Sequence, residues 1–252
     1  MSARTIFGMI RNVSVLIREL EDAGMRVEVG DDFSLYRYYR NACADRGDLP
    51  PMFDTASSFI DASNGFWICG FNDADELIHT QAIRILDLSG ISLGKHLDMH
   101  RHKYIVPDTT PDPDLTFFQG PEALKTVTGT VGYCGDFWLP SRGLGGPRSH
   151  GATGLLSRLL FELLLQSWQP DYVFAFVPKQ LASKGAHLRY GYSHCEPGRW
   201  IGPDQQVTDE EYLIWMNATD IKNVLARDVQ ALRKSSQVSA MRAALTSIDF
   251  TG

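Results

Sequence analysis

The 252-residue chain has no run of about 18 uninterrupted apolar residues, the length a membrane-spanning helix needs. Its longest apolar-rich segment, 154–168, is broken by Arg158, Glu162 and Gln166. The first 24 residues spread charges through their apolar positions and show no small-residue cleavage pattern, so they read as part of the fold and not as a secretory leader. Long basic runs are absent and the formal net charge is −6, which removes the electrostatic footprint of a nucleic-acid binder. Cys43, Cys69, Cys134 and Cys195 lie far apart with no Cys-x-x-Cys pair, as expected of reduced thiols in a cytoplasmic protein. Internal repeats and low-complexity tracts are missing. So is Gly-x-Gly-x-x-Gly, and no strand ending in an acid follows at the distance a dinucleotide fold requires.

What is present is ordinary for a chain that buries a core: 44% hydrophobic and 21% charged residues. One domain spanning 1–252 is expected, with a helical elaboration at its start and a loop-rich insertion at 89–125. Apolar residues from Ile6 to Leu20 recur at helical spacing over 5–23, and Gly24 stops that helix. Met25–Val29 reads as a strand, and Asp31 or Asp32 as the cap of a helix over 33–44. A connection with Pro50 and Pro51 follows, then a short helix near 56–61. The runs 65–71 and 77–88 flank an acidic turn and predict a hairpin.

Beyond Lys125 the pattern sharpens. Val127, Val131, Tyr133, Phe137 and Leu139 alternate with polar residues, so 126–139 is a long strand with those five on one side. A glycine-rich turn, PSRGLGGPRSHGATG, leads into leucines at helical spacing from Leu155 to Leu164. Pro170 ends the helix. The continuous apolar run DYVFAFV, 171–177, reads as a strand buried on both faces, followed by a helix over 179–189 and a strand over 190–195. Strand, glycine turn, helix, buried strand is an α/β crossover. Such a turn aims several backbone N–H groups at one point, where the helix dipole adds positive charge, and so suits a pyrophosphate.

The turn resembles motif A of the GNAT superfamily of N-acetyltransferases, Arg/Gln-x-x-Gly-x-Gly/Ala. Two registers compete. Arg142-Gly143-Leu144-Gly145-Gly146 has the strand end Trp138-Leu139-Pro140 before it; Arg148-Ser149-His150-Gly151-Ala152-Thr153 has the leucine helix after it. The second is preferred because the helix must start at the phosphate; it departs from the motif at Thr153. His187-Leu188-Arg189-Tyr190-Gly191-Tyr192 is similar to the family's Tyr-x-x-x-Gly-Phe, with His187 where the family has tyrosine. The resemblance covers 126–195 well and 65–217 loosely. It implies a mixed, mostly antiparallel twisted sheet with splayed parallel central strands, flanked by helices.

The resemblance also implies acetyl-CoA or another acyl-CoA as donor, no metal, and an amine acceptor, with a homodimer left open. Its site is Arg142, Arg148, Gly151, Ala152, Thr153 and Gly154 for the pyrophosphate and Phe137, Trp138 and Leu139 along the donor. Catalysis would rest on His187 or Tyr190 as the acid that protonates the thiolate and on Asp136 as a base acting through water. Asp136 read alone is equally an exposed strand-end carboxylate. His194 and Glu196 could line the acceptor side or be loop polar groups. His96, His100 and His102 could form a metal set, but a solvated polar face is preferred. Two rivals stand beside an N-acetyltransferase: an N-acyl amino acid or acyl-homoserine-lactone-type synthase fed by acyl carrier protein, and a non-catalytic acyl-CoA sensor.

Overall fold

The amphipathic N-terminal stretch forms α1 (Ala3–Asp22), capped by the Ser2 hydroxyl and ended where Gly24 turns the chain at φ +77°. The structure is a computed structural model that describes residues 2–43, 46–104, 112–140, 151–203 and 207–227. β1 (Arg26–Gly30) leads to α2 (Phe33–Asn41), whose amides at Ser34 and Leu35 donate to the Asp32 carboxylate. β2 (Gly65–Phe71) and β3 (Leu77–Leu88) form the expected antiparallel hairpin. Then come α3 (Leu93–His100), β4 (Phe117–Gln119), α4 (Ala123–Thr126) and β5 (Gly129–Trp138). α5 (Ala152–Ser167), β6 (Tyr172–Pro178), α6 (Lys179–Ala182) and α7 (Ala186–Tyr190) follow. β7 (His194–Pro197), β8 (Arg199–Ile201), β9 (Val207–Asp209), β10 (Glu211–Asn217) and α8 (Ala218–Leu225) complete the described chain.

Seven strands make one sheet in the order β1-β2-β3-β5-β6-β10-β7, and β5 and β6 are its one parallel pair among the described residues. This is the mixed, mostly antiparallel sheet with central parallel strands that the resemblance implies. α1, α5 and α8 cover one face, where Leu155, Leu156, Leu159, Leu160, Phe161 and Leu164 of α5 are all but inaccessible. Burying a leucine or phenylalanine contributes about 1.5–3 kcal/mol, so this face anchors α5 firmly. α2, α3 and the 3-10 turn Pro51–Phe53 cover the other face over an aromatic core of Phe33, Tyr36, Phe53, Trp67 and Tyr133.

Four expectations need correction. Residues 56–61 form turns, because the Asp54 and Asp61 side chains bond nearby amides in place of a helical ladder. The 89–125 insertion holds α3, α4 and β4, which pairs with β8 in a second, three-stranded sheet β4-β8-β9. The helix expected over 179–189 is two short ones broken at Gly185, and Tyr190 and Gly191 end the second, so the next strand starts only at His194. The fourth lies in β5 and shapes the site. Among the described residues no helix is long and apolar enough to cross a membrane.

Candidate active site

β5 does not keep one pleat. Its register against β3 steps from Ala82↔Gly135 to Thr80↔Trp138, so three residues of β5 advance against two of β3. The extra residue is Asp136, at φ +53°, a conformation that non-glycine residues seldom adopt outside turns and bulges. One inserted residue reverses the side on which every later side chain emerges. Tyr133 therefore lies in the aromatic core on the α2 face, whereas Phe137 packs on the α5 face against His79 and Tyr190, at ring separations of 5.0 and 4.8 Å. Strict alternation had put Tyr133 and Phe137 on one side; the bulge separates them.

The bulge also marks where the sheet divides. β5 pairs with β6 only from Val131↔Tyr172 to Tyr133↔Phe174. Beyond that point β5 stays with β3, while β6 stays with β10 along its whole length to Pro178↔Glu211. Two β3 side chains hold the β5 half: Thr80 Oγ1 donates to the Asp136 carbonyl at 2.8 Å, and His79 Nδ1 to the Trp138 carbonyl at 2.7 Å. Between the halves opens a cavity of about 280 Å³, bounded by 134–138 of β5, 175–178 of β6, Leu160 and Phe161 of α5, and Tyr190 of α7.

The N-terminus of α5 stands at the same edge of the sheet. Its N-cap, Gly151, lies at φ +78°, left-handed backbone that a side chain would strain. Ala152 is buried there and Gly154 faces the Arg189 carbonyl, so the start of α5 packs on α7. Thr153, whose carbonyl accepts from Ser157 Oγ, lies in this first turn. Arg142 and Arg148 lie outside the described residues, as does the choice between the two motif registers.

Asp136 is no exposed strand-end carboxylate: its side chain is 2% accessible. Tyr36 Oη donates to it at 2.6 Å, Arg40 Nε at 2.9 and 3.1 Å, and Arg46 Nη2 as well. These donors engage both carboxylate oxygens, although Asp136 is among the residues that border the cavity. Burial, then the Asp136 charge, pushes the Tyr36 phenol well above its usual range, so it stays a neutral donor. Tyr190 borders the cavity. His187, one helical turn before it, does not, and its buried Nδ1 has no partner among the described residues. Cys134 also faces the cavity, but burial pushes its thiol up to about 12, with Tyr192 opposing, so it is a poor nucleophile near neutral pH.

Other candidates lie elsewhere. Leu139 is buried in the α5-side core. His194 stacks on Trp215 at 3.8 Å and Glu196 accepts from the Trp215 indole, both on the edge strand β7. His96 bonds the Tyr104 hydroxyl at 2.9 Å and lies 4.7 Å from the His100 ring. Sequence reasoning missed Tyr36, Arg40, Arg46, His79 and Thr80. A tyrosine and two arginines on a helix and the loop after it gave no signal, because their partner lies 90 to 100 residues away.

Two buried imidazoles predict an acid-sensitive fold. Burial lowers His79 to about 3 and, with His100 and Arg84 nearby, His96 to about 4, both from an ordinary 6.5. Folded, each is neutral; unfolded, each takes up a proton below about pH 6.5. Their stabilisation is thus complete above that pH. It is lost on acidification at about 1.4 kcal/mol per pH unit for each imidazole, until each folded value is reached. Urea titrations between about pH 7.5 and 4.5 should show His79→Gln with a shallower decline than the parent. An unchanged slope would refute the assignment.

No family model matches the chain, and no curated protein does. Solved structures do match. One is FeeM, an N-acyl amino acid synthase from uncultured soil microbes, at 11% identity and a TM-score of 0.42, covering 80% of this chain and 96% of that one. Another is the aminoglycoside acetyltransferase AAC(6')-Ib in complex with coenzyme A and kanamycin, at 12% identity and a TM-score of 0.39, covering 78% and 98%. A third is FdhC, a nucleotide-linked sugar GNAT, at 12% identity and a TM-score of 0.38, covering 79% and 90%.

Proposed function

We propose that this chain is an acyl-CoA-dependent N-acyltransferase of the GNAT type, acting by direct attack of an amine on the thioester. The observation that carries this reading is the divided sheet. β5 and β6 part beyond Tyr133, a cavity fills the gap, and the 16-residue helix α5 lines it with Ser157, Leu160 and Phe161, in the turns that follow its N-terminus. Parted strands leave backbone donors and acceptors for an extended amide-bearing arm, and the first helical turn leaves N–H groups for a pyrophosphate. The residues present fit an acyl-CoA donor in this way.

In this reading Arg148, Gly151, Ala152, Thr153 and Gly154 hold the pyrophosphate, with Arg142 in a lesser part. Backbone N–H groups near Phe137 to Leu139 donate to the carbonyl oxygen as it gains charge. The Trp138 carbonyl already accepts from His79, and this reading uses that residue's amide and ring. Tyr190, on the cavity wall, protonates the departing thiolate and is restored, through solvent, by the proton the attacking amine loses; His187 is the second candidate. Asp136 acts by fixing the bulge and not as the base.

A second reading rests on the cavity's size. At about 280 Å³ and with Leu160, Phe161, Val177 and Ile214 on its walls, it exceeds what an acetyl group occupies and suits a longer acyl chain, delivered by CoA or by acyl carrier protein. Melting temperatures with CoA, acyl-CoAs of increasing length and acylated carrier protein separate the two. Isothermal titration tests the phosphate turn. Arg148→Ala should weaken CoA binding by about 1.5–3 kcal/mol, the range for charged hydrogen bonds, and Arg142→Ala by less. The reverse order would move the motif to the earlier register.

A further inference from the structure

We infer that the acceptor is an amine that also bears a carboxylate, an amino acid or a close relative, and that Arg46 is the group that recognises it. The inference rests on the acyltransferase reading and starts from a charge imbalance. Arg40 and Arg46 bring two positive charges to Asp136, which supplies one negative charge, while Tyr36 is neutral. Among the described residues no second carboxylate pairs with either arginine. A buried charge left over in this way invites an anionic partner.

Hydrogen-bond capacity shows which arginine would meet it. Arg40 is used up internally: Nε holds Asp136, Nη1 the Gly47 carbonyl and Nη2 the Asp48 carbonyl at 2.9 Å. Arg46 donates to Asp136 and, through Nη1, to Thr80 Oγ1 at 2.5 Å. A guanidinium carries five N–H donors, so three of Arg46's have no acceptor among the described residues, although its side chain is only 9% accessible. Its guanidinium sits 5.1 Å from the Trp138 ring centre and forms part of the cavity wall. That planar, partly unsatisfied fork suits a carboxylate.

The side of approach assigns the carboxylate to the acceptor. The start of α5, the proposed pyrophosphate site, lies on one face of the sheet. Arg46 comes with α2, Tyr36 and Phe53 from the other, so the two reactants meet across the division between β5 and β6. An amine held by its carboxylate at Arg46 then faces the Tyr190 side of the same cavity.

The test uses the full chain, L-amino acids and their matched carboxamides, in two readouts: melting temperature without donor, and thiol release from acyl-CoA. Wild type should be stabilised by acids and not by carboxamides, and should use the acids with a kcat/KM about 10–100-fold higher, the ratio expected for losing a charged hydrogen-bond partner. Arg46→Gln leaves Asp136 paired one-to-one with Arg40, so it should fold, and it should lose both preferences. Arg46→Lys should keep part of each. Equal response to acids and carboxamides, or a preference that survives in Arg46→Gln, overturns the inference. So does CoA stabilisation with no amino-acid effect. Amino-acid stabilisation that depends on Arg46, with no CoA binding or thiol release, upholds the carboxylate site and removes the acyltransferase reading instead.

Discussion

Asp136→Ala is expected to destabilise the protein by about 3–5 kcal/mol, the cost of removing one partner from a buried ion pair. The cost arises because Arg40 and Arg46 would be left charged, almost inaccessible and facing each other, with Tyr36 also deprived of its acceptor. Two like charges in a medium less polarisable than water repel strongly, so relaxation must admit water or move α2. Asp136→Asn keeps the side-chain shape and one acceptor oxygen and should lose less. Urea denaturation measures both. A change for the alanine variant inside the roughly 0.5 kcal/mol typical of surface substitutions would show that the cluster does not hold the bulge. The asparagine variant also settles the rival role: a folded protein that binds acyl-CoA but has lost turnover would restore Asp136 as the base.

Tyr190→Phe is expected to lower turnover by about 10²–10⁴-fold, the contribution of a positioned general acid, while acyl-CoA affinity stays near the parent's. The phenylalanine keeps the ring packed against Phe137, so packing is preserved and only the hydroxyl is lost. His187→Phe should act mainly on melting temperature, since that side chain does not border the cavity. Single-turnover kinetics with saturating acyl-CoA distinguish the two. A larger rate loss at His187 than at Tyr190 would reverse their roles and return the acid to the motif position. The choice turns on geometry that spacing does not contain: both residues lie on α7, and only its seating against α5 and β5 decides which one meets the cavity.

Much of the scaffold was legible because it rests on local rules. The helical spacing from Ile6 to Leu20, the Asp32 cap, the acidic turn after Phe71 and the leucines of α5 each state a preference within a few residues, and the structure follows all four. The unbroken run Val173–Val177 likewise announced a strand covered on both faces, and Val173 and Phe174 indeed enter opposite cores. Where side chains competed with the backbone, as Asp54 and Asp61 do around 56–61, the same local reading failed.

The sequence by itself determined the N-terminal helix, the β2–β3 hairpin, the strand–helix–strand order of β5, α5 and β6 and the glycine at the start of α5, because hydrophobic periodicity and backbone permissiveness act over one or two turns of chain. Only the tertiary structure decided the bulge at Asp136, the parting of β5 from β6 and the identity of the residues around the gap. Alternation cannot reveal an inserted residue whose left-handed backbone is held in place by Thr80, Arg40 and Arg46. Those partners lie 56 to 96 residues away, and they converge only when α2 packs on one face of the sheet and β3 pairs with β5 at the same strand end.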